Sequence, residues 1–285
     1  MEPAYFIASR HASSHIYYHS FQQVLGDRLR FHFTTEREIL QREVGYLFIT
    51  KRFSSRKFLE AARRRGHRMI YICSDVFCAK PTRLLRRFHE CADLFNFIIY
   101  PNQNTLHDFP KPGTPSTVLM EISQDWYRIP RRTVDFSHPR MAFFGSRQNH
   151  PKHCPYLSRT ITRNVHTYTR HDDLFYRTPF YNIHIAARKD DAEIRYKPSP
   201  KVMNSIFADA IVMINRGNLP ELFPEDYPFY VEDITSLHNL EERLHDSDAV
   251  NRSLDVLETN RQAFGFEAFA TKLNAAFSRV AQKGL

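Results

Sequence analysis

Apolar positions in the first half of the chain fall into short runs of strand character separated by stretches of helical period. AYFIAS (4–9), the period-two RLRFHFTT (28–35), YLFIT (46–50), RMIYICSD (68–75), FNFIIY (95–100) and TVLMEIS (117–123) predict strands. Helical patterns precede residue 26 and cover 54–65 and 82–91. Strands alternating with helices predict βαβ units and a mostly parallel sheet with helices on both faces.

The series breaks at 123–139, SQDWYRIPRRTVDFSHP, where two prolines, three arginines and little apolar periodicity predict a linker. A second series follows, with strands expected at RMAFFGS (140–146), VHTYT (165–169), YNIHIAA (181–187), IVMI (211–214) and FYV (229–231). The end of the chain is helical by its spacing of Leu237, Leu240 and Leu244, then of Phe264, Phe266, Phe269, Leu273 and Phe277. The expected organisation is an α/β domain over 1–125, a linker over 126–139, a second α/β domain over 140–262 and a C-terminal helix over 263–285.

Composition, 42% hydrophobic and 25% charged, is that of a folded chain and excludes a disordered one. No apolar run approaches the roughly 20 residues that span a bilayer. The N-terminus lacks a basic region before its short apolar run, so it does not resemble a secretion signal, and a cytoplasmic location is expected. Cys73, Cys78, Cys91 and Cys154 form no CxxC pair and are expected as buried free thiols. His150, His153 and Cys154 lack a visible fourth ligand and a standard zinc spacing, so no metal is expected.

The net charge of +9 is uneven: residues 1–138 hold 21 Lys and Arg against 13 Asp and Glu, and 139–285 hold 19 against 18. A basic half attracts nucleic acid, acidic glycans or an anionic membrane surface, and salt weakens the attraction. A solvated surface without such a partner fits the count equally.

Neither GxGxxG nor GxxxxGK[ST] occurs, and with eight glycines any phosphate binding falls to side chains and helix ends. The stretch 196–214, YKPSPKVMNSIFADAIVMI, joins a basic loop to a helix N-terminus and a buried strand. First-turn N–H groups have no partner inside a helix, so this order makes an anion pocket. Lys197 and Lys201 there can neutralise a diphosphate, and Asn204, one turn on, can bond a sugar hydroxyl; a solvated lysine pair before an ordinary helix is the alternative.

Two more loci end predicted strands, where α/β sheets bind ligands. Asp75 after MIYIC can act as a general base or can simply cap the next helix. Gly145, Ser146 and Arg147 after MAFF can bring backbone and guanidinium to a phosphate or form a turn with a surface arginine. Arg216, Gly217 and Asn218 after IVMI form a polar rim or a turn.

The pattern resembles the GT-B class of nucleotide-sugar glycosyltransferases, in which two Rossmann-like domains face across a cleft. YKPSPKVMNSIFADAIVMINRGNLPELF is similar to that class's donor segment, KPxxKxxNAxxAGxPVI, at Lys197, Pro198, Lys201, Asn204, Ala208 and the strand 211–214, with Glu221 near a later acidic position. A narrower resemblance is to the phage DNA β-glucosyltransferases, which move glucose from UDP-glucose to hydroxymethylcytosine in DNA. It rests on KVMNSIFADAIVMI, on MIYICSDVF and on AFFGSRQ. The resemblance implies that Asp75 is the catalytic base, that Arg147 contacts the diphosphate and that Lys201 replaces a phosphate-binding arginine. Departures are Asn204 for a ribose-binding glutamate, Asp209 for the glycine of the broader class, and Gly145 alone where the phage enzymes carry a glycine pair.

The expected function is therefore transfer of a sugar from a nucleotide-diphosphate donor, such as UDP-glucose, to a hydroxyl on a modified DNA base, with inversion if Asp75 is the base. No cofactor is required, and a divalent cation is tolerated without being essential. Double-stranded DNA is the expected partner, with Arg63, Arg64, Arg65, Arg83, Arg86 and Arg87 as its phosphate contacts, in the host cytoplasm if the chain is phage-encoded. A glycan or lipid-linked acceptor, and a DNA-binding protein without chemistry on the same scaffold, are the alternatives.

Overall fold

The computed structural model describes residues 1–7, 12–50, 54–74, 83–119, 135–136, 140–143, 181–187, 194–196, 200–231 and 240–282. Contacts divide the chain into two units, one of Met1–Gln124, Arg195–Pro198 and Glu267–Leu285, the other of Asp125–Ile194 and Ser199–Phe266.

The first unit runs β1 (Glu2–Ile7), α1 (Ala12–Leu25), β2 (Leu29–Thr34), α2 (Glu36–Ile39), β3 (Tyr46–Thr50), α3 (Arg56–Arg64), β4 (Arg68–Ile72), α4 (Arg83–Cys91), β5 (Phe97–Tyr100), α5 (Gln103–Asp108) and β6 (Ser116–Val118). Its sheet has the order β2-β1-β3-β4-β5-β6, and every pair is parallel. The order reverses between β1 and β3, a topological switch point of the kind at which open α/β sheets bind ligands.

Period-two patterning sorts the core onto two faces. Phe6 and Phe48 stack with ring centroids 4.5 Å apart, and Phe21 of α1 meets both rings edge-on. Their strand neighbours Tyr5, Leu47, Met69 and Tyr71 join a separate buried cluster with Leu59 and Ala62 of α3 and Phe88 and Cys91 of α4. Cys73 and Cys91 are buried free thiols as expected, and burial pushes both up from their ordinary range; Cys78 and Cys154 lie outside the described residues.

The second unit contains β7 (Met141–Ala142), β8 (Ile183–Ile185), α6 (Pro200–Phe207), β9 (Ile211–Asn215), β10 (Tyr230–Val231), α7 (Leu240–His245) and α8 (Ser247–Phe264). Its sheet, β10-β9-β8-β7, is also parallel. The last helix, α9 (Phe266–Gln282), packs on the first unit: Phe269 meets Phe21 at 6.3 Å, and Phe277 meets Tyr46 at 4.8 Å and Phe48 at 5.8 Å.

Differences from the sequence reading lie mainly at ends. The strand expected over 68–75 is β4, closing at Ile72, and that expected over 117–123 is Ser116–Val118. The apolar spacing from Phe264 to Phe277 is not one helix, because Gly265 separates α8 from α9 in extended backbone. A Cβ at Gly265 would lie 2.7 Å from the Arg261 carbonyl oxygen, so glycine suits the break. The strand expected at 165–169 and most of the linker 126–139 lie outside the described residues. Among the described residues no helix is long and apolar enough to cross a membrane.

Candidate functional site

Helix α6 carries the most informative chemistry. Pro200 occupies its first position, where a missing N–H costs nothing, and Val202, Met203, Ile206 and Phe207 bury one face at helical spacing. The helix stops in a Schellman motif: Asp209 N–H donates to the Ile206 carbonyl at 3.3 Å and Ala210 N–H to that of Ser205 at 3.1 Å. Asp209 takes the left-handed conformation this stop requires, with φ 54°. That geometry accounts for glycine in the resembling donor segment and for the tolerance of aspartate here. Arg261 of α8 donates to the Ile206 carbonyl at 2.6 Å and pairs with the Asp209 carboxylate, closing the helix end from outside.

From the sheet side, His184 of β8 shares a 2.7 Å hydrogen bond with Ser205. A serine and histidine at that distance have the geometry of an activated nucleophile. Both are 2% exposed, however, so no substrate reaches them, and the pair instead fixes the rotation of α6.

Asn204 is partly buried on α6, and its carboxamide oxygen is buried without a hydrogen-bond partner among the described residues. Beyond the carboxyl end of β9, Asn218 is 5% exposed and its carboxamide oxygen likewise has no partner among the described residues. Leaving such an acceptor unsatisfied costs about 1–3 kcal/mol. Gly217 between them in sequence has φ 76°, and nothing lies within 4 Å of a Cβ there, so backbone conformation alone favours glycine. Arg216 is engaged within its own loop: it donates to the Glu225 carbonyl at 2.6 Å and its guanidinium lies 4.8 Å from the Tyr230 ring centroid. Lys201 falls in the first turn of α6, with its side chain outside the described residues. Asp75, Gly145, Ser146, Arg147 and Lys197 lie outside them too, as do His150 and His153. Among the described residues no cluster of His, Cys, Asp and Glu could hold a metal ion.

Cys73 N–H donates to the Ile99 carbonyl at 2.8 Å, extending the ladder past β4. Ser74 is fully buried, and its hydroxyl has no partner among the described residues.

The six arginines expected to meet phosphate lie on or beside α3 and α4 and divide by role. Ser55 caps α3, accepting from Phe58 N–H, and the exposed face beyond it carries the cations. Arg63 donates to the Asp93 carbonyl at 3.0 Å and Arg65 to the Arg42 carbonyl at 3.2 Å, so both hold local structure. Arg64, Arg83, Arg86 and Arg87 have no hydrogen-bond or ion-pair partner among the described residues.

No protein-family model matches the chain, and no curated protein matches it by sequence. Solved structures do match. T4 phage BGT in complex with its UDP-glucose substrate is 12% identical, over 97% of this chain and 99% of that one, at a TM-score of 0.56. AviGT4, a glycosyltransferase involved in avilamycin A biosynthesis, is 9% identical over 99% and 98%, at 0.57. A UDP-forming α,α-trehalose-phosphate synthase from Burkholderia xenovorans is 10% identical over 93% and 84%, also at 0.57. At such identities the likeness is one of fold, and with its two parallel α/β units and helical C-terminus the chain has the GT-B fold of these glycosyltransferases.

Proposed function

We propose that the protein is a glycosyltransferase that moves a sugar from a nucleotide-diphosphate donor to a hydroxyl on a modified base in duplex DNA. The observation that carries the donor half is the pair of buried, unpartnered carboxamide oxygens on Asn204 and Asn218. Buried acceptors are almost always satisfied, and the hydroxyls of a ribose or hexose are donors of the right kind. Lys201 in the first turn of α6, with Lys197 and Arg147, supplies positive charge for the diphosphate as it leaves. That charge makes a cofactor unnecessary and a divalent cation dispensable. Asp75 takes the proton of the attacking hydroxyl. Support for a UDP-sugar comes from the fold shared with T4 phage BGT bound to UDP-glucose, and for DNA from the related structure of a DNA-modifying β-glucosyltransferase, 12% identical at a TM-score of 0.57. The basic character of the first unit agrees with a polyanionic acceptor, and the reaction is assigned to the cytoplasm.

The test is a thermal-shift panel of nucleotide sugars followed by transfer to hydroxymethylated duplex DNA. A true donor at 100 times its Kd stabilises the protein by about 2.7 kcal/mol. Asp75→Ala is expected to lower turnover by a factor of about 100 to 10,000 while leaving donor binding in place. A panel in which no nucleotide sugar raises Tm sinks the reading, and near-normal turnover in Asp75→Ala removes that residue from the mechanism.

A further inference from the structure

Strand β10 is one edge of the second unit's sheet, and its backbone carbonyls serve two sides. The Phe229 carbonyl turns to β9 and accepts from Ile214 N–H at 3.4 Å. The flanking carbonyls, of Pro228 and Tyr230, both go to Arg243 of α7, whose Nη1 donates to them at 2.9 and 3.3 Å. One nitrogen thus covers two acceptors that an open edge leaves bare. The guanidinium lies 5.9 Å from the Phe229 ring centroid, and that ring is fully buried.

The other edge of the guanidinium is idle. Nε and Nη2 are both buried, and neither has a hydrogen-bond partner among the described residues. No carboxylate among those residues pairs with the charge, and burial pulls the guanidinium below its ordinary pKa. A buried cation without a counter-charge is costly, and buried charges are as a rule paired. The two idle nitrogens also share a geometry. Nε–H and one Nη2–H of an arginine point the same way, side by side, and form the edge that grips two oxygens of a carboxylate or phosphate. We propose that this edge of Arg243 is a binding site for a small oxyanion, a phosphate or carboxylate group, seated beside β10. Arg243 as a whole is partly exposed, so a small ion has a route to the fork. The ion offsets the buried charge and supplies both missing acceptors, while Nη1 holds the fork against the strand. None of the residues assigned to the donor takes part, so the site does not depend on that reading.

Thermal shift of the full-length protein tests it, with inorganic phosphate and with acetate, each against chloride at equal ionic strength. At about ten times its Kd the bound ion is expected to raise Tm by about 2–4 °C. Arg243→Lys keeps the positive charge and loses the fork, so its apparent Kd for the ion is expected to rise about tenfold or more. Arg252→Lys, at an exposed arginine of α8 in the same unit, is the control and is expected to keep the full shift. Where Arg243→Lys fails to fold, Arg243→Gln, which still offers a donor to the two carbonyls, gives the same reading. A shift with phosphate alone identifies a phosphate group as the occupant, and a shift with acetate identifies a carboxylate. No shift with either ion in the unmodified protein overturns the proposal, whatever the variants do. A shift that Arg243→Lys retains in full overturns it too, because the ion then binds elsewhere. Equal loss in Arg252→Lys does the same, because the effect is then one of general charge.

Discussion

Asp209 shows how one residue can depart from an expected pattern and still satisfy the backbone that the pattern serves. Its left-handed φ of 54° ends α6, a conformation that suits glycine and that aspartate adopts more readily than most residues. The carboxylate then takes a role glycine cannot, pairing with Arg261. The departure was visible in the sequence; its partner was not, since Arg261 lies 52 positions away and nothing local marks it. An ordering of variants follows. Asp209→Gly loses the ion pair but keeps an easy backbone, whereas Asp209→Ala loses the pair and strains the turn, so alanine is expected to be less stable than glycine by about 1 kcal/mol. Arg261→Ala is expected to cost about 1–3 kcal/mol, since it takes the guanidinium from a largely buried carboxylate and leaves the Ile206 carbonyl with only the Asp209 N–H. Urea unfolding midpoints measure both, and an alanine variant at 209 as stable as the glycine variant would show that the turn is not under steric control.

At the scale of elements, period and composition carried most of the strands, because an apolar run bounded by polar turns records burial directly. YLFIT at 46–50 coincides with β3, whose five residues are all buried. The short helices α2 and α5 were missed for want of apolar period, although Thr35 and Glu38 form a capping box and Asn102 caps α5. That T-x-x-E spacing was the available signal. Destinations were less legible than elements. Spacing at Phe269, Leu273 and Phe277 records that one face of α9 is buried, yet it holds no information about which sheet covers it. The structure sets Phe269 and Phe277 against Phe21, Tyr46 and Phe48 of the first unit, so the first domain of the chain is completed by its last helix. Phe277→Ala is therefore expected to destabilise the first unit by about 3–5 kcal/mol. Denaturation should report the loss in the unit that contains residue 46, and an unaltered first transition would count against this packing.

For the whole molecule, the two units divide the charge more sharply than the halves of the sequence do. Counted over the residues of each unit, the first holds 23 Lys and Arg against 12 Asp and Glu, and the second 17 against 19. The excess grows because α9 and Arg195–Pro198 bring further cations to the first unit. A molecule charged in this way attracts a polyanion to one unit, and among the described residues the cations of α4 are candidates for its contacts. Arg83, Arg86 and Arg87 occupy the first half of that helix, where the backbone dipole adds to their field, while Arg63 and Arg65 each commit a donor to a carbonyl. Each phosphate neutralised contributes about 0.9 to the slope of log K against log salt concentration. Replacing all three α4 arginines by alanine should reduce the magnitude of that slope for duplex DNA by about 2 to 3 and weaken binding at low salt across sequences alike, because phosphate contacts position a duplex without reading it. The measurement is a salt titration of DNA affinity for the unmodified and triple-variant proteins. A slope that survives the substitutions intact would move the DNA contact off α4, and an affinity indifferent to salt in the unmodified protein would remove DNA as the acceptor.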